Sequence, residues 1–240
     1  MQRVRAGFHS TRWTLVFAAG DTQTDLARAA LSELCEIYWY PLYVYARRTG
    51  ADAEDARDLV QGFLLSLWER DDLRSLSPER GRFRSFLLAA LKHYIGNRRV
   101  HDHAQKRGGG QPAISLDFDE AEQRYRVEPA TLDTPERAFE RQWALELLAQ
   151  VFAEIRSEWD ARGKLAEFER LKAILLDEDV VGSFPAVARD LGTTDTALRM
   201  AASRLRQRFR QVLRETIAET TSDEAVDDEL AFLLKILQRS

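Results

Sequence analysis

The chain has 240 residues, 45% of them hydrophobic and 31% charged, with a formal net charge of −4 and one cysteine, Cys35. This composition excludes a disulfide framework and a uniformly basic nucleic-acid coat, and it suits one large or two small soluble domains. No apolar run approaches the ~20 residues that span a bilayer, and MQRVRAGFHS leads into no apolar core, so the expectation is a cytoplasmic protein with no signal peptide and no membrane partner.

Ser10 or Thr11 can cap a short helix carrying Trp13, Val16 and Phe17, closed by Gly20. A second helix starts near Thr24 and carries Leu26, Ala30, Leu34 and Ile37. Pro41 then predicts a kink or a restart inside YWYPLYVYARR, and Gly50 ends the segment. Asp52 caps the next helix, whose apolar positions Ala56, Leu59, Val60, Phe63, Leu64 and Leu67 form one amphipathic face. Asp71 and Asp72 end it, and Ser77-Pro78-Glu79 opens the following helix.

That helix lies in GRFRSFLLAALKHYIGNRRVHDHAQKRGGG. Phe83, Phe86, Leu87, Ala90, Leu91 and Tyr94 share one face, while Arg84, Lys92 and Arg99 fall on the opposite side. From Arg74 to Arg107 nine bases stand against two acids, a local balance of +7 in an acidic chain. Such a local excess is the electrostatic footprint of a polyanion site.

From Gly108 the chain becomes glycine- and proline-punctuated and acidic, with Asp117, Asp119, Glu120 and Glu122. It predicts a linker with a short ordered piece around Ile114–Phe118. Thr134 and Pro135 open a helix with Phe139, Trp143, Leu147, Val151, Ile155 and Trp159 on one side; Gly163 ends it, and another helix runs from Lys164 to Leu176. Ser183 then caps a short helix with Val187, Ala188 and Leu191 inward. Gly192-Thr193-Thr194 turns, and a second helix carries Leu198, Ala201, Ala202 and Leu205 inward. This is the spacing of a helix-turn-helix. Its second helix bears Arg199, Arg204, Arg206, Arg208, Arg210 and Arg214, suited to phosphate contact and guanine readout. The tail inverts the sign: from Glu215 onward seven acids face two bases, and Ser222 can cap a helix with Val226, Leu230, Leu233, Leu234 and Leu237 on one side.

No catalytic constellation emerges. His101 and His103 point apart on a helix, Asp177-Glu178-Asp179 reads as solvated acids before a turn, and Gly108–Gly110 lacks the Lys-Ser/Thr of a phosphate loop. The expectation is no enzyme, no metal and no cofactor. The predicted fold is all-α, with two helical domains joined by a flexible linker: residues 1–107, a linker over 108–137, a helix-turn-helix domain over 138–218, and an acidic amphipathic helix over 219–240.

Asp52-Ala53-Glu54-Asp55, then Asp58-Leu59-Val60-Gln61 and Phe63, resembles the second conserved region of the sigma factors of bacterial RNA polymerase, of the small extracytoplasmic-function type. Arg82–Arg99 resembles the family's segment that melts and reads the minus-ten element, and Phe184–Arg210 its fourth region, which reads the minus-thirty-five element. FHSTRW, KRGGG, SLDFD and VDDEL resemble a long subgroup of such proteins.

The resemblance implies a transcription initiation factor whose partners are core RNA polymerase and promoter DNA, with an anti-sigma factor or a regulatory kinase as further partners. By position it implies polymerase contacts at Asp55, Asp58, Gln61, Gly62 and Trp68. It implies minus-ten contacts at Arg82, Arg84, Lys92, His93, Asn97, Arg98 and Arg99. It implies minus-thirty-five contacts at Thr196, Arg199, Met200, Ser203, Arg204 and Arg206, and a linker threading toward the polymerase active-site channel.

Two departures stand out. Gly62 replaces the family's usual acid, and Met200-Ala201 replaces a polar and a basic residue. The first suggests polymerase binding that awaits added negative charge, by phosphorylation at Thr49 or Ser66 or by Gly62→Glu. The acidic tail suggests a restraint on a basic DNA surface. The rival reading is a helix-turn-helix regulator that binds duplex DNA without polymerase; an enzyme acting on nucleic acid is weaker than either.

Overall fold

A computed structural model describes residues 25–69, 82–102, 116–127, 133–176, 184–218, 221 and 223–238. Among them all regular structure is helical: α1 (Asp25–Arg48), α2 (Ala53–Glu69), α3 (Phe83–Asp102), α4 (Phe118–Val127), α5 (Pro135–Asp160), α6 (Leu165–Leu176), α7 (Phe184–Asp190), α8 (Asp195–Ala218) and α9 (Val226–Leu237). The predicted first helix with Trp13, Phe17 and Gly20, Ser77-Pro78-Glu79, the KRGGG run, Asp177–Asp179 and the cap residues Ser183 and Ser222 lie outside the described residues. No described helix is long and apolar enough to cross a membrane.

The chain divides into two compact units, residues 1–146 with 217–240, and residues 147–216, so the boundaries fall within α5 and α8. In the first unit α1 packs against α2, α3 and α4, and α2 against α3. Pro41 neither ends nor restarts α1. A proline inside a helix costs about 3 kcal/mol. Here Tyr38, Tyr40, Leu42, Tyr43, Val44 and Tyr45 around it are all buried, and packing on every side outweighs the missing hydrogen bond. Asp52 caps α2 by accepting the Asp55 N–H at 2.8 Å. The amphipathic face buries Ala56, Val60, Phe63, Leu64 and Leu67, which meets Phe83, Leu87, Leu91 and Ile95 of α3 in one core.

The predicted linker contains a full helix. Asp117 caps α4 by accepting the Glu120 N–H at 2.9 Å, and Phe118 and Ala121 are buried. Phe118 stacks edgewise on Trp39, and the Tyr43 hydroxyl donates to Glu122 at 2.5 Å. Arg124 lies over the Tyr40 ring and pairs with Glu146. Burial works against the charged form of Glu122, but Tyr43, Arg126 and Arg47 outweigh it and hold its carboxyl below the ordinary value. The segment is therefore anchored to α1 by a ring contact, a hydrogen bond and a cation–π contact, and to α5 by an ion pair, which corrects the flexible-linker expectation over 118–127. Two further boundaries shift. The first turns of α5, with buried Ala138, Phe139, Gln142 and Trp143, belong to the first unit, and so does the C-terminal helix α9.

The second unit comprises the rest of α5, then α6, α7 and α8 up to Thr216. Val151, Ile155, Trp159, Phe168 and Leu171 are buried, with Trp159 and Phe168 rings 6.1 Å apart. Arg208 of α8 binds Glu158 of α5 through two nitrogens, at 2.6 and 3.1 Å, and the carboxylate raises the guanidinium above its ordinary value.

Candidate nucleic-acid interface

In the second unit the helix-turn-helix is built from the turn outward. Gly192 adopts φ +64°, and behind it the Thr193 N–H bonds back to the Ala188 carbonyl at 2.8 Å, which closes α7. A left-handed residue at that place is easiest for glycine, because any Cβ would crowd the backbone. The Thr194 hydroxyl then accepts the Ala197 N–H at 3.1 Å and starts α8. Val187, Ala188, Leu198, Ala201, Ala202 and Leu205 are all buried. Helical phase leaves Thr196, Arg199, Met200, Ser203, Arg204 and Arg206 exposed, so all six expected minus-thirty-five positions share one solvent-exposed side of α8. Asp195 pairs with Arg199 at 2.9 Å and its guanidinium lies 4.7 Å above the Phe184 ring, so it is pre-oriented at the N-terminal end of α8.

The first unit is arranged differently. Arg84 was expected to face DNA, and it is 4% exposed. Its Nε and Nη2 donate to Glu229 of α9 at 2.5 and 3.0 Å, and its Nη1 lies 3.5 Å from Glu140 of α5. Phe232 covers one side of the guanidinium at 4.0 Å and Trp143 lies 4.9 Å away. Arg82 reaches the same Glu229 carboxylate at 2.7 Å. Further along α3, Lys92 pairs with Glu136 at 2.7 Å; that carboxylate raises the ammonium above its ordinary value, and Lys92 in turn holds Glu136 low. Burial pushes Glu140 up, against the pull of Arg84. The Arg84 expectation is thus corrected. This side of α3 meets the chain's own acids, because α5 and α9 both place carboxylates along it. His93 and Asn97 are exposed, and Arg98 lies 4.0 Å from Asp58. The Arg99 and Trp68 side chains lie outside the described residues.

Glu229 was missed as a site residue. Its signal is visible in VDDELAFLL: it falls on the apolar stripe with Val226 and Leu233, and a carboxylate there needs a cation.

On α2 the expected polymerase contacts Asp55 and Asp58 are exposed and Gln61 is half-buried. Thr49 and Ser66 are half-buried and donate their hydroxyls to the Ala46 and Phe63 carbonyls, each at 2.8 Å. Gly62 has a local cause. A Cβ there would overlap the hydroxyl of Tyr94, whose Cζ would lie at an ordinary 3.4 Å. A glutamate at 62 meets the same obstacle, so added charge is not the only change that Gly62→Glu makes. Gly62→Ala alone is expected to destabilise the first unit by about 1 kcal/mol, since overpacking costs more than helix propensity returns. In a Tyr94→Phe background it is expected to stabilise by roughly 0.5–1 kcal/mol. Urea unfolding of the four forms checks this, and the same sign in both backgrounds refutes the steric account.

No protein-family model, curated protein or solved structure matches the chain.

Proposed function

We propose that the chain is a sigma-like transcription initiation factor that binds core RNA polymerase, directs it to promoters and helps to melt them, working in the cytoplasm without covalent chemistry. The observation that carries this reading is the surface of α8, where six polar, basic or flexible side chains stand exposed over a buried counter-face and a capped turn. In this reading Asp55, Asp58 and Gln61 of α2 bear on polymerase, and His93, Asn97 and Arg98 of α3 on melted DNA. An anti-sigma factor or a kinase would regulate it.

A second reading has its own support. Because Arg82, Arg84 and Lys92 are held by acids of the same chain, a regulator that uses only the helix-turn-helix on duplex DNA fits as well. Run-off transcription with core polymerase on genomic fragments separates the two. Promoter-specific transcripts that need this chain are expected. Duplex binding with no polymerase-dependent transcript would replace the first reading by the second.

A further inference from the structure

An open groove runs between α5 and α9, within the first unit, and the proposed function makes no use of it. Arg137 and Arg141 stand one turn apart on its α5 side, and Phe232 and Ile236 one turn apart on its α9 side. Residues four apart share a helix face, so each wall is a ridge with a helical repeat. Arg137 is exposed, while Arg141, Phe232 and Ile236 are half-buried. Lys235 and Asp133 complete the charged lining together with Glu140. The Glu140 carboxylate, however, lies 3.5 Å from Arg84, and with Glu229 it balances the charges of Arg82 and Arg84. Three cations are then set against Asp133 alone, and among the described residues Arg137, Arg141 and Lys235 make no ion pair.

Two requirements fall on whatever fills this groove. Half-buried Arg141 has lost hydration that a carboxylate would replace, and two arginines one turn apart match two carboxylates one turn apart. Phe232 and Ile236 need apolar cover, which a bare phosphate does not supply and a wholly apolar helix supplies only by stranding the arginines. A groove between two packed helices is the natural seat of a third, laid in by its apolar face. We propose that the α5–α9 groove docks an acidic amphipathic helix of a partner protein, with its carboxylates on Arg137 and Arg141 and its apolar stripe on Phe232 and Ile236. The inference goes beyond the proposed function: it involves neither the α8 surface nor the expected contact positions on α2 and α3, and it needs no nucleic acid.

The test uses the full-length chain and a fluorescein-labelled, alanine-based peptide about 20 residues long, enough to hold a helix. The peptide carries a leucine stripe flanked by glutamates four apart, and anisotropy follows its binding. Arg137→Glu with Arg141→Glu is expected to weaken binding at least about tenfold, and to turn the preference toward the same peptide with lysines for glutamates. Ile236→Gln is expected to weaken the parent peptide without that reversal. Thermal unfolding checks that each variant is folded; if the double glutamate variant is not, Arg137→Gln with Arg141→Gln is expected to lose the glutamate peptide and gain nothing for lysine. Absence of binding overturns the proposal, as does binding that survives both double variants. Equal binding of a scrambled peptide of the same composition would reduce the site to plain charge attraction and also overturns it. So does tighter binding of an oligothymidylate that depends on Arg137 and Arg141, which would make the groove a nucleic-acid site. No outcome depends on run-off transcription, so the two ideas can fail separately.

Discussion

Arg84→Ala releases the C-terminal helix. Among the described residues, the substitution leaves the Glu229 carboxylate, 2% exposed, with the Nε of Arg82 as its remaining cationic partner. Removing one partner of a buried ion pair costs about 3–5 kcal/mol, because the remaining charge keeps its desolvation penalty. The docked population of α9 should therefore fall by roughly two to four orders of magnitude. Hydrogen exchange resolved by segment is the measurement: α9 amides lose protection, while α1 to α3 keep theirs. The double replacement Arg84→Met with Glu229→Met is the control. It swaps the pair for apolar groups of similar volume and should restore docking or strengthen it. An arginine that merely faced solvent would give less than about 0.5 kcal/mol in either experiment, so protection unchanged by Arg84→Ala would refute the buried placement.

The second large effect belongs to the other unit. Leu198 is fully buried, one turn above Ala201 and Ala202. Small alanines on the same face leave few side chains able to close over a void, so Leu198→Ala should cost about 2–5 kcal/mol. Duplex binding should fall with it, since α8 holds its arginines in place only while that face is packed. Arg204→Ala should separate the two properties. It is exposed, so stability should move by less than about 0.5 kcal/mol, while under the proposed function the loss of a guanine contact should weaken duplex binding by about 1–3 kcal/mol. Thermal unfolding and mobility shift on the same duplex check both variants. Equal loss of binding and stability in Arg204→Ala would show that it is part of the core.

Where one physical cause dominated, the sequence could be read directly. The period of Ala56, Val60, Phe63 and Leu67 marks a helix face because nothing competes with it, and Gly192, Thr134 and Asp52 mark turns and caps because their backbone chemistry is local. The turn of α7 and α8 was legible for the same reason. Three features were not. Pro41 signals a break, but the aromatic residues around it are buried on every side, and packing overrides local preference. Phe118–Val127 is mostly polar, so its helix shows no strong period; only the Asp117 cap and the Phe118–Ala121 spacing hint at it. Arg84 lies opposite the apolar face of α3 and so reads as solvent-facing. Its true surroundings are set by Glu229, 145 positions later. Long-range pairing of this kind leaves a trace only in the partner, as a carboxylate on an apolar stripe.

The self-pairing along α3 has a consequence for ionic strength. A free arginine that meets a phosphate releases a condensed cation, and each such contact adds about 0.7 to the slope of log affinity against log salt for single strands, or about 0.9 for duplex. Arg82, Arg84 and Lys92 instead give up a carboxylate of their own chain. The nucleic acid still releases its cation, but the contact must first break an ion pair within the chain, and an isolated carboxylate condenses no cation in return. Any binding at α3 should then be weaker at every salt concentration than binding through exposed Arg204 and Arg206 of α8, while both fall as salt rises. The affinity at a fixed low salt concentration, rather than the slope, therefore separates the two modules.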